Sequence, residues 1–209
     1  MFHLTVITFL SNNNNVYAIF ILLSFSLNFI IRIVMNKSLI TPRFLVIISV
    51  IAGAAFLRLI PHWPNFTPIA GIALFGGTYL VRKQLAFIIP FAAMLLSDLL
   101  LGFHQTMLAV YTSFALIVGI GLILRERVGI FTVVSASVVS SLVFFLVTNF
   151  ASWQSGMMPY PMNFNGLIQA YAAGLPFLNN GILGDLFYNS VFFGGFYLVS
   201  LKFPQLARS

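Results

Sequence analysis

"MLAVYTSFALIVGIGLIL" (residues 107–124), "RER" (125–127) and "VGIFTVVSASVVSSLVFFLVTNF" (128–150) follow one another without interruption, and their reading decides the fold class. Each apolar run is close to the roughly 20 residues a helix needs to cross the hydrocarbon core of a bilayer. The three charges between them mark a turn outside it. Working outward, Phe44–Ile60, Phe66–Leu80, Leu85–Leu101 and Ile182–Leu201 repeat the pattern, giving six candidate spans. The second is short and carries Gly71, Gly76 and Gly77, residues that weaken a helix in water but allow close backbone approach in a membrane.

Composition agrees. The chain of 209 residues is 60% hydrophobic and 6% charged, where a soluble domain carries about 25% charged residues. The sequence therefore predicts an all-α integral membrane protein, a bundle of six core transmembrane helices over residues 44–201. Residues 1–35 form an N-terminal extension or an extra transmembrane helix, with the candidate seventh span at Val16–Met35 interrupted by Asn28 and Arg32. Met35 opens "MNKSLITPRF" just before the first strong span, which makes it a candidate natural start. Between the fifth and sixth spans, "GLIQAYAAGLPFL" (166–178) is too short to cross and suits an interfacial helix.

The net charge of +7 does not point to nucleic acid, because the basic residues sit singly or in pairs between apolar runs. Lys37 and Arg43, Arg82 and Lys83, Arg125 and Arg127, and Lys202 and Arg208 fall in alternate connections. The intervening loops contain no lysine or arginine. This is the positive-inside pattern, and it predicts a multi-pass protein of the cell (inner) membrane whose core is N-in and C-in. With no cysteine there is no disulfide framework, thiolate metal site or cysteine nucleophile. Nor is there a phosphate-binding G-x-x-x-x-G-K-[ST] loop, an H-E-x-x-H or a G-x-S-x-G, so the sequence points to no enzyme, catalytic residue, cofactor or metal.

Only three acidic residues occur, and two of them, Asp98 and Asp185, fall inside predicted spans. A carboxylate near mid-membrane costs about 2.5–3.5 kcal/mol on insertion scales, so it needs a partner, a wet cavity or a proton. In the predicted orientation both lie near the outer ends of their helices, at the same depth as Arg58. Two readings follow. In one, Arg58 neutralises an aspartate and pins helices together. In the other, the three charges line an outward-facing cavity that orients a small solute, flanked by Asn149, Tyr188 and Asn189 and capped by His62, Asn65, His104 and Trp153. On the sixth span Gly181, Asp185, Tyr188 and Asn189 share a face; on the fifth, Ser137, Ser141 and Thr148 make a similar seam. For Trp153 the alternative is membrane-surface anchoring.

"RLIPHWPNFTPIAGIALFGG" (58–77), "PFAAMLLSDLLLGFH" (90–104) and "TNFASW" (148–153) followed by "YPMNFNGLIQAYAAGLPFLNN" (160–180) resemble a family of uncharacterised bacterial six-helix membrane proteins described as transport proteins. More distantly, the architecture is similar to the substrate-binding S components of energy-coupling factor transporters. That resemblance implies capture of a small-molecule solute at the outer face by a subunit without its own ATPase, energised by a separate membrane subunit and ATPases. The alternative is a structural or assembly membrane protein whose buried charges only lock the bundle.

Overall fold

The computed structural model describes residues 40–103 and 105–206, together with Ser24. The expected seventh span and candidate start within residues 1–35 (Ser24 apart) and the loop residue His104 lie outside the described residues. Contacts divide the chain into two units, Met1–Thr41 and Pro42–Ser209. The second is helical throughout, and no strand occurs among the described residues. Its elements are α1 (Pro42–Leu57), α2 (Ile69–Tyr79), α3 (Lys83–Leu101), α4 (Met107–Leu124), α5 (Ile130–Gln154), α6 (Phe164–Asn189), a π-helical turn (Ser190–Gly194), α7 (Gly195–Lys202) and a 3-10 turn (Pro204–Leu206).

Among the described residues, four helical stretches are long and apolar enough to cross a membrane: α3, α4, α5 and the unbroken Phe164–Lys202 rod. α1 and α2, at 16 and 11 residues, fall short. At 1.5 Å per residue α2 is only about 16 Å long, half the thickness of a hydrocarbon core. Its brevity goes with its position. Every residue from Ile69 to Thr78 is buried, and α2 packs against α1, α3, α4, α5, α6 and the π-turn. The span that is shortest in sequence is thus the centre of the bundle.

Glycine permits that burial. A Cβ on Gly77 would lie 2.5 Å from the Val118 carbonyl oxygen, and one on Gly121 would lie 2.5 Å from that of Leu74. α2 and α4 therefore meet backbone to backbone, as small residues allow between membrane helices. Ala73 and Gly77 serve this packing, whereas Ser49 and Gly53 on α1 are exposed. At its C-terminal half α2 inserts Phe75 among Tyr79, Phe192, Phe193 and Phe196, with ring centroids 5.0–6.0 Å apart.

The end of α2 is closed by a side chain from another helix. Arg125, just past α4, donates from Nε to the Gly77 carbonyl at 2.8 Å, from Nη1 to that of Val81 at 3.0 Å, and from Nη2 to that of Leu80. These carbonyls have no partner within the helix, and a cation there also complements the helix dipole. Burial pulls the Arg125 pKa below its ordinary value but leaves the guanidinium charged at neutral pH.

Residues 166–178 are helical, as expected, but they do not form a separate element. They run without a break through Pro176 and "NNG" (179–181) into the last span, a rod of 39 residues. The polar triplet stays helical, and Asn180 Nδ2 donates to the Pro64 carbonyl of the α1–α2 loop at 3.1 Å. α5 and α6 run antiparallel, tied by Tyr171 Oη to the Leu146 carbonyl and by Trp153 Nε1 to that of Pro161, at 2.8 and 3.1 Å. The outer faces carry Leu108, Ile123, Ile130 and Phe131, each more than four-fifths exposed. Apolar surface this extensive is a liability in water and the expected coat of a bundle solvated by lipid.

Candidate functional site

The two buried aspartates occupy different corners of the bundle. Asp98, on the last turn of α3, is 1% exposed and forms an ion pair through Oδ1 with Nη1 of Arg58, whose side chain is 11% exposed. Tyr111 of α4 donates its hydroxyl to Asp98 Oδ2 at 2.8 Å. Arg58 also donates to Ser97 Oγ at 2.6 Å. The carboxylate at the α1–α3–α4 corner thus has an opposite charge and a hydroxyl, the combination that stabilises a buried charge.

Asp185, on α6, has no such partner. Its Oδ2 accepts from Ser141 Oγ of α5 at 2.5 Å, and no lysine or arginine among the described residues pairs with it. Yet the residue is only 5% exposed. One turn further on, Asn189 Nδ2 donates to Ser137 Oγ at 2.8 Å, making a second rung between the same two helices. Asn189 Oδ1 and the Ser140 hydroxyl are buried without a hydrogen-bond partner.

Asp185 and Ser141 form part of the wall of a cavity of about 70 Å³ between α2, α5, α6 and the α1–α2 loop. Asn65 and Thr67 contribute from the loop, Ala70 from α2, and Phe144, Phe145 and Phe177 from the hairpin. Asn65 reaches this position with φ 62°, a left-handed conformation that asparagine tolerates better than most residues.

The expectation of a single three-charge cluster is therefore corrected. Arg58 and Asp98 come together, but Asp185 lies apart from them, with Ser141 as its partner. Of the other expected residues, Asn65 lines the cavity and Asn189 stands one turn deeper. Tyr188 instead stacks against Phe66 and Phe192, with centroids 5.7 and 6.0 Å apart. Asn149 bonds back to the Phe145 carbonyl at 2.9 Å and lies against Gly174. Trp153 braces the loop at Pro161. His62 is exposed, its Nδ1 2.6 Å from the Ile60 carbonyl oxygen. Thr148 bonds back to the Phe144 carbonyl of its own helix at 2.7 Å.

Sequence reasoning missed Tyr111 and Thr67. Tyr111 was findable, since α3 and α4 form a tight hairpin that brings residues flanking the turn to one depth.

What the described residues define is an all-helical bundle with apolar outer faces around a short buried helix, with one neutralised carboxylate and one carboxylate facing a cavity. The chain belongs to the family of unknown function DUF6580, whose model matches residues 38–206. No curated protein and no solved structure matches it.

Proposed function

We propose that the chain is a solute-binding subunit of a membrane transport system, similar in kind to an S component, which captures a small solute and does no chemistry on it. The observation that carries this reading is Asp185, a buried carboxylate without a cationic partner among the described residues, in the wall of a cavity beneath the Asn65–Thr67 loop. A charge left in that position is expensive unless something from outside completes it. The Arg58–Asp98–Tyr111 corner favours the structural reading for its own part of the bundle, as a lock that holds α1, α3 and α4.

In this proposal the bundle makes six passes in the inner membrane, with the α2 pass completed by the irregular 58–68 stretch. Non-helical backbone is tolerated at membrane depth where it is buried in protein or lines a cavity. The connections around Arg82, Arg125 and Lys202 face the cytoplasm and the 61–67 loop faces outward. Energy comes from a separate membrane subunit with ATPases or from an ion gradient. The cysteine-free chain makes the topology directly testable. Gln154→Cys is expected to react with an impermeant thiol reagent in intact cells, and Lys83→Cys and Arg127→Cys are not; labelling of the latter pair would reverse the orientation. For solute capture, a thermal-shift screen of purified protein against small metabolites is expected to give saturable stabilisation that Asp185→Asn abolishes. Stabilisation by no metabolite at all would return the whole molecule to the structural reading.

A further inference from the structure

We infer that the solute class at the Asp185 cavity is a small protonated amine, ammonium or a one- to two-carbon alkylammonium. This inference rests on the solute-binding reading above and narrows it.

Size comes first. A cavity of about 70 Å³ is far below the roughly 300–1,000 Å³ of sites for drug-sized ligands, so a vitamin-like solute does not fit. It has room for a few heavy atoms.

Charge comes second. Asp185 is 95% shielded from solvent, and its only hydrogen bond among the described residues is the Ser141 hydroxyl on Oδ2. Oδ1 accepts none. The arginines near the bundle core are already committed: Arg58 to Asp98, Arg125 to the carbonyls ending α2, and Arg43 to the Tyr79 and Phe196 rings. A cationic solute would supply the missing opposite charge, whereas beside an anion or a neutral molecule the carboxylate could be neutralised only by taking up a proton.

The walls then separate one cation from another. A hard metal ion such as calcium or magnesium takes six or more oxygen ligands, or keeps its waters. Here the oxygen-bearing residues Asp185, Ser141, Thr67 and Asn65 share the lining with Phe144, Phe145 and Phe177. Phenyl walls remove the hydration of a metal ion without replacing it. An ammonium group needs fewer partners: its N–H bonds can be met by Asp185 Oδ1 and the loop oxygens, and aromatic rings attract it.

The test uses the full chain in detergent or nanodiscs, with thermal unfolding followed in methylammonium chloride and in sodium or potassium chloride at equal ionic strength. Neutral and anionic metabolites are run in parallel. The expected result is a saturable rise in melting temperature of several degrees with methylammonium but not with sodium or potassium. Asp185→Asn should abolish it, as should Ala70→Leu, which fills the cavity and keeps the carboxylate. Glu126→Gln, which removes an exposed loop carboxylate, should leave it intact. Stabilisation by sodium or potassium through Asp185, with methylammonium inert, would overturn the amine and keep solute binding. So would stabilisation by a neutral or anionic metabolite alone. If methylammonium still stabilises Asp185→Asn and Ala70→Leu in full, the amine does not use this cavity and the inference fails. Silence across amines, metal ions and metabolites would overturn both readings.

Discussion

Asp98 and Asp185 are the same residue type, each nearly inaccessible and each on a helix that packs against α2, yet their surroundings differ in one respect that matters. Asp98 has a guanidinium and a tyrosine hydroxyl; Asp185 has a serine hydroxyl and a cavity. The first corner is complete without any other molecule. The second is complete only if a proton, water or solute joins it. Burial of a carboxylate therefore says nothing by itself about function; what distinguishes the corners is whether the fold supplies its counterpart.

The largest expected effect that would break this comparison is at Arg58. Arg58→Ala leaves Asp98 buried and unpaired, and removing one member of a buried pair typically destabilises by about 3–5 kcal/mol. Equilibrium unfolding of the detergent-solubilised protein measures it, and a loss below about 1 kcal/mol would mean that water reaches Asp98. Next is the α2–α4 contact, where Gly77→Ala forces a methyl group against the Val118 carbonyl. Overpacking of this kind costs about 1–3 kcal/mol and should lower the melting temperature without touching either carboxylate. Arg125→Gln strips the α2 carbonyls of their charged donor and should cost about 1–2 kcal/mol, read by the same unfolding assay. Of the same size, Tyr111→Phe removes one hydrogen bond to a charged group and should cost about 1.5 kcal/mol, showing how much of the Asp98 corner belongs to the ion pair.

Much of the fold was legible from hydropathy. Met107–Leu124 has the same bounds in sequence and structure, and α3 and α5 differ from their apolar runs by only a few residues. The role of α2 was not legible, because hydropathy measures suitability for an apolar surrounding and α2 is buried inside the bundle, where its glycines answer to neighbouring helices. Nor was the continuity of residues 166–178 into the last span within α6, since "NNG" (179–181) reads as a break in sequence yet stays helical. The site was half legible. Charge order along the chain predicts a common depth for Arg58, Asp98 and Asp185, but a common depth does not bring residues together. Which corner of the bundle a residue occupies depends on helix neighbours, and nothing in the spacing placed α6 away from the α1–α3 corner. Arg125 was hidden differently, because the positive-inside pattern already explained it.

The contrast between the corners is tested most directly by paired asparagine substitutions, each of which keeps shape and removes charge. In the unliganded protein, Asp98→Asn strands Arg58 and should lower the melting temperature markedly. Asp185→Asn strands no cation and should leave it unchanged or slightly raised, while abolishing any ligand-induced stabilisation. Equal destabilisation by the two substitutions would contradict the account, since it would make Asp185 as much a part of the structural lock as Asp98.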